Sequence, residues 1–190
     1  MAGRIILVRH GETEANRAGC FADSDEIPLT DRGRLQARDT ARRLAADYLP
    51  EHIFSSPFAR ARETGQVIAQ SLQLEVETLE GIHERDFGCL KGHPYRRMGE
   101  LMDADPSYDR NSISTWRPSG GESLEDVRRR AVAVLEQLQK RHADRDVVLV
   151  CHGAVIQAVT AHLTGNWHDA GIPDNGEFIV IEAAILTADT

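Results

Sequence analysis

Two short apolar runs, each ending on a histidine and a glycine, constrain this chain more than any other feature. Ile5-Ile6-Leu7-Val8 runs into Arg9-His10-Gly11, and Val147 to Val150 runs into Cys151-His152-Gly153. Continuously apolar, β-branched runs of this length predict strands buried on both faces, the habit of a parallel sheet covered by helices. In open sheets of that kind, ligands sit outside the carboxyl ends of the strands. A glycine at such an exit lets the backbone turn sharply and approach a ligand closely. A helix beginning just beyond it offers free N–H groups and a favourable dipole to an anion. Two matched exits can bring two histidines to one place.

The rest of the pattern supplies the helices. Asp31 to Tyr48 predicts a helix with Ala37, Ala41, Leu44, Ala45 and Tyr48 on one stripe, ended by Pro50. His52 to Ser55 predicts a second strand, Ala59 to Leu72 a helix carrying Val67, Ile68 and Leu72, and Leu74 to Leu79 a third strand. Between Gly81 and Gly121 the periodicity weakens, and only Tyr95 to Met102 suggests a short helix. Ser123 to His142 is the clearest helix. Ser123 and Asp126 form a capping pair, and Leu124, Val127, Ala131, Val134, Leu135 and Leu138 form the apolar face. Ala154 to Leu163 predicts a helix after the fourth strand, and Phe178 to Ile185 a last strand. Strands alternating with helices predict a three-layer α/β/α sandwich with a mostly parallel central sheet. We expect one domain over residues 1–190 with a small cap-like insertion at about 81–121.

Bulk properties exclude several classes. A chain of 190 residues buries enough surface to need no disulfide or metal staple. Its formal net charge of -8 argues against non-specific nucleic-acid binding, which needs a basic footprint. An anionic ligand is still allowed, because a pocket can be basic on an acidic protein. Cys20, Cys89 and Cys151 are far apart and form no CxxC pair, so no zinc site or disulfide framework is expected. The apolar run at the amino terminus is too short for a signal peptide or membrane span, so no membrane association is expected and the reading is cytoplasmic. Metal binding is the rival chemistry for His10 and His152, but no further ligand stands at a typical spacing from either, and no metal is expected.

The motifs around these histidines carry a resemblance. Arg9-His10-Gly11-Glu12-Thr13 with Asn16 resembles the leading motif of the histidine phosphatase superfamily, the phosphoglycerate-mutase-like family. Ile27-Pro28-Leu29-Thr30-Asp31-Arg32-Gly33 with Gln36-Ala37 resembles its loop into the first helix. Ser55 to Thr64 resembles its second arginine motif, and Glu84-Arg85-Asp86-Phe87-Gly88 its acid motif. Gly120-Gly121-Glu122-Ser123 and Cys151-His152-Gly153 complete the order.

The resemblance implies the same sandwich fold and a small phosphorylated substrate, with no cofactor. It makes His10 the residue that accepts the phosphoryl group. Arg9 and Arg60 would clamp phosphate oxygens, Asn16 would add an uncharged donor, and His152 would donate to the phosphate. Glu84 would be the general acid and base. Arg85 would either line the substrate end or form a surface ion pair. Arg60 is favoured over Arg62 as the second arginine. Glu12 is read as orienting, Cys151 as packing, and Ala22-Asp23-Ser24-Asp25-Glu26 as a solvated acidic loop. Phe87 and Tyr95 replace a tyrosine and a lysine of the glycolytic mutases, so the small bacterial phosphatase type is preferred to a cofactor-dependent phosphoglycerate mutase. A non-catalytic phosphate-sensing module is the alternative from another class. The oligomeric state is left open, with a homodimer as one candidate.

Overall fold

The computed structural model describes residues 3–182, without the side chains of residues 111 and 112. Five strands form one sheet: β1 (Arg4–Arg9), β2 (Pro50–Ser55), β3 (Val76–Thr78), β4 (Asp146–Cys151) and β5 (Phe178–Glu182), in the order β3-β2-β4-β1-β5. The first four run parallel, and β5 runs antiparallel along the edge of β1. The predicted last strand reaches Ile185, and residues 183–185 lie outside the described residues.

Alternation along the strands builds the two covering layers. Ile5, Leu7, Val147 and Leu149 point to one face, where they meet α5 (Leu124–Arg141) and α6 (Gly153–Thr164) through Val127, Ala131, Leu135, Ile156 and Val159. Ile6, Val8, Val148 and Val150 point to the other face. There they meet Ala41 and Leu44 of α2 (Asp31–Asp47) and Ala61 and Ile68 of α3 (Ala59–Leu72). β1 and β4 are therefore apolar from Ile5 to Val8 and from Val147 to Cys151, and the three-layer α/β/α arrangement with its mostly parallel sheet is the observed fold.

Local differences have local causes. Ala45, expected on the buried stripe of α2, is exposed, and Tyr48 is the extended residue that ends the helix. The third strand is shorter than its apolar signal because only Val76–Thr78 pair with β2. On α5 Val132 is buried where the predicted Val134 is only partly so. The reciprocal Ser123–Asp126 capping box is present. A five-residue helix, α1 (Glu14–Ala18), was not predicted; a Thr13–Asn16 capping box starts it and left-handed Gly19 ends it.

Residues 81–121 hold one α-helix, α4 (Arg97–Ala104), two short 3-10 turns, and most of a small apolar cluster. Leu90, Met102 and Trp116 pack with Phe21 there, and Phe87, Met98 and Tyr108 flank them. The predicted helix began at Tyr95; Tyr95 and Arg96 instead lie in the preceding turn.

The loop after β1 is held against the start of α2 by two glycines. A Cβ on Gly33 would collide with the Glu12 carbonyl, and one on Gly11 with the Gly33 carbonyl. Gly33→Ala is expected to lower stability by about 1–3 kcal/mol, the usual cost of overpacking. The midpoint of urea unfolding checks this.

Candidate active site

Parallel pairing sets the two exits side by side. Arg9 of β1 is in register with Cys151 of β4, and the His10 N–H donates to the Cys151 carbonyl at 3.1 Å. The His10 and His152 rings, next along each strand, pack edge-on with centroids 5.2 Å apart. Both are buried.

The tautomer of His10 follows from its contacts. Its Nδ1 is 2.7 Å from the Gly11 carbonyl, which can only accept, so Nδ1 carries the proton. Nε2 is left with a lone pair, which accepts from Arg60 Nε at 3.2 Å. Burial, then the nearby Arg60 charge, hold His10 well below its usual 6.5. His10 is therefore a neutral imidazole with a free basic nitrogen at neutral pH. His152 is lowered in the same way, by burial first and then Arg60. Its Nε2 lies 2.8 Å from Ser56 Oγ, and its Nδ1 has no hydrogen-bond partner among the described residues.

The other expected residues come from four separate segments. Arg60 is in the first turn of α3 and is 3% exposed; its guanidinium lies over the Phe58 ring and approaches the Ser24 carbonyl. Burial pulls the Arg60 pKa down from its usual range while Glu84 and Asp25 oppose the shift. Arg9 ends β1, and its Nη1 donates to the Pro173 carbonyl at 2.7 Å. Asn16 sits in α1; Thr13 donates to its Oδ1 from both N–H and hydroxyl, which turns Nδ2 outward toward Tyr95 Oη at 3.3 Å. Glu84 Oε1 accepts from its neighbour's N–H, that of Arg85, at 2.9 Å and from Ala154 N–H at 3.2 Å. Since Ala154 lies in the first turn of α6, the Glu84 carboxylate is anchored at a helix N-terminus.

Arg9, His10, Asn16, Arg60, Glu84 and Arg85 all line one cleft of about 430 Å³. His152 stands directly behind His10 with no exposed surface. Among the described residues Arg85 makes no surface ion pair: it is 6% exposed, and Nε and Nη2 donate to the Glu122 and Trp116 carbonyls. Burial pushes it down to about 10 against the pull of Glu84 and Glu122. Arg62 turns away, to the Pro57 carbonyl and Glu26. Glu12 accepts from Thr30 and pairs with Arg32, an orienting position. Cys151 is fully buried, and burial raises its thiol pKa far above the usual range. Asp25, from the acidic loop, borders a second cavity of about 450 Å³ that shares Arg60 and Glu84 with the first. That loop is exposed, as expected, yet it also faces the site. Among the described residues no three His, Cys, Asp or Glu side chains form a metal-holding group. Among them too, no helix is long and apolar enough to cross a membrane.

Three supporting residues escaped the sequence reading. Ser56 holds His152, although it lies inside the motif containing Arg60. Thr64 accepts from Gly11 N–H, next to His10. Asn175 Nδ2 donates to both the His10 carbonyl and Asn16 Oδ1. Nothing in the irregular run before β5 marked Asn175; only the turn residues Pro173 and Gly176 stand out.

An α/β sandwich with two neutral histidines, a pair of arginines and a carboxylate at its strand exits defines a protein suited to phosphoryl chemistry. Comparison with known proteins makes that specific. The profile of the histidine phosphatase superfamily (branch 1) matches residues 5–183, and the chain belongs to that superfamily. It is 34% identical to phosphoglycerate mutase-like protein 4 of Arabidopsis thaliana over 82% of this chain and 68% of that protein. It is 33% identical to the metal-independent phosphoserine phosphatase of the same plant, over 84% of this chain and 68% of that protein. A mycobacterial glucosyl-3-phosphoglycerate phosphatase, solved with VO3, superposes with a TM-score of 0.81 at 29% identity, covering 94% of this chain and 90% of that one. With such relatives the chain is an enzyme of the phosphatase class.

The buried neutral histidines predict an acid-side loss of stability. Below pH about 6.5 an unfolded histidine takes a proton that the buried one refuses, so the unfolded chain binds more protons and gains as pH falls. The unfolding free energy is expected to drop by up to about 1.4 kcal/mol per pH unit for each of His10 and His152 below that pH. Urea unfolding between pH 7 and 5 measures the slope.

Proposed function

We propose that this protein hydrolyses phosphomonoesters without a metal, through a phosphohistidine on His10. The observation that carries the reading is the lone pair of His10 Nε2 at the floor of the cleft, beside the Arg60 guanidinium. A neutral imidazole is a good nucleophile near pH 7 and leaves again readily, which suits a two-step transfer.

In the first step Nε2 attacks phosphorus and the ester P–O bond breaks. Arg60 turns its donors from Nε2 to the phosphoryl oxygens, and Arg9 and the outward Nδ2 of Asn16 share them. His152, held at Nε2 by Ser56 and with Nδ1 buried and unpartnered among the described residues, would donate to the phosphoryl group as the second histidine. Glu84, as the general acid, gives a proton to the leaving oxygen. In the second step Glu84 takes a proton from water, the water oxygen attacks phosphorus and the P–N bond breaks. Phosphate leaves, and His10 and Glu84 return to their starting states. Nδ1–H keeps its bond to Gly11 throughout and fixes the ring.

The same phosphohistidine can return its phosphoryl group to a sugar acid, as a bisphosphoglycerate-primed mutase does, and several relatives are named mutase or mutase-like. Conversion of 3-phosphoglycerate to 2-phosphoglycerate outpacing phosphate release would favour that route.

Release of phosphate from p-nitrophenyl phosphate, unchanged by EDTA, is the direct test. His10→Ala is expected to abolish it and to abolish acid-labile labelling from a ³²P-phosphomonoester. Arg60→Ala is expected to slow turnover by about 10²–10³ and Glu84→Gln by about 10²–10⁴. Undiminished turnover in His10→Ala would sink the proposal.

A further inference from the structure

The two ends of the cleft are built from opposite chemistry. At the His10 end stand Arg9, Arg60, Asn16 and Glu84. The other end is a carbon-rich wall, with Phe21, Phe87, Tyr95, Met98, Ile113 and Trp116 among its residues. Phe21 joins this wall into one surface: its ring lies 4.4 Å from Phe87 and, edge-on, 4.9 Å from Tyr95. The hydrogen bond from Asn16 Nδ2 to Tyr95 Oη ties the aromatic wall to the phosphoryl end.

Little at that far end suits a second negative charge. The Arg85 guanidinium lies 5.8 Å from the Phe87 and Trp116 ring centroids, but its Nε and Nη2 are committed to the Glu122 and Trp116 carbonyls. Among the described residues no lysine lines the cleft. The neighbouring cavity, which shares Arg60, Glu84 and Arg85, adds Asp25, Glu80, Asp86 and Glu122 together with His83 and Lys91, and Lys91 is paired with Asp86 at 2.9 Å. A substrate carboxylate at the aromatic end would lose its water and find Arg85 and Lys91 already engaged, by backbone carbonyls and by Asp86. An apolar group there gains burial instead.

Resting on the phosphatase reading, we infer that the preferred substrates are monoesters of uncharged, apolar alcohols, alkyl or aryl, rather than of sugar acids or amino acids. The phosphoryl group takes the arginine end, and the carbon chain or ring lies along Phe21, Phe87 and Trp116. The cleft's volume and its few polar groups at one end match the general build of small-molecule sites.

The n-alkyl phosphates provide a test in which the leaving oxygen stays chemically constant. From methyl to hexyl phosphate, kcat/KM is expected to rise about fourfold per buried methylene until the cleft is filled. Phosphoserine and 3-phosphoglycerate are expected at least tenfold below hexyl phosphate. Met98→Lys should lower the hexyl-to-phosphoserine ratio about tenfold or more. Ile113→Lys, at a more exposed place on the same wall, should shift it the same way if Met98→Lys does not fold. A flat alkyl series, or phosphoserine turned over faster than hexyl phosphate, overturns the inference and leaves hydrolysis at His10 standing. Failure to hydrolyse any ester, methyl phosphate included, defeats the phosphatase reading and this inference with it.

Discussion

Parallel pairing of β1 with β4 is the constraint on which the rest of the molecule depends. The ladder from Ile5–Val147 to Arg9–Cys151 ends both strands at one level, so the next residue on each is a histidine at the same rim. The pairing is stable because both faces of each strand are covered, one by α5 and α6 and the other by α2 and α3. A slip of one residue would exchange the buried sets of the two faces and offset the histidines. Packing and site geometry therefore have the same cause.

Burial then decides what the histidines are. Each loses water, and a guanidinium stands near both, so each is kept neutral. The Gly11 carbonyl selects the tautomer of His10, and Ser56 Oγ holds the His152 ring at Nε2. A reactive nitrogen buried among arginines would be costly to hold loosely. The backbone around it is accordingly fixed by Thr64 at Gly11, by Asn175 at the His10 carbonyl, and by the Gly11–Gly33 contact. These supports come from α3, the segment before β5, and α2, so most of the chain participates in placing one ring.

The two ends of the cleft have different structural origins. The phosphoryl end is made by strand exits and helix starts of the sandwich, where backbone N–H groups and positive charge collect. The aromatic end is made largely by residues 81–121, whose small cluster of Leu90, Met102 and Trp116 is separate from the two main cores. Chemistry and selectivity can therefore change independently within one fold.

Much of this was legible in the chain. Apolar runs with β-branched residues mark β1 and β4, the Ser123–Asp126 pair marks the start of α5, and ordered motifs single out His10, Arg60, Glu84 and His152. Such features are local: a strand's burial and a helix's cap are written in adjacent residues. What local pattern could not carry was decided by pairing across long separations. Asn175 meets His10 across 165 positions, and Arg85 chose backbone carbonyls over a surface partner. The joining of Phe21 to Phe87 and Tyr95 into one aromatic wall likewise exists only once the chain has closed on itself. Hydrogen bonds and ring contacts are satisfied by whichever group the fold brings within reach, and that is settled by packing, not by neighbours in sequence.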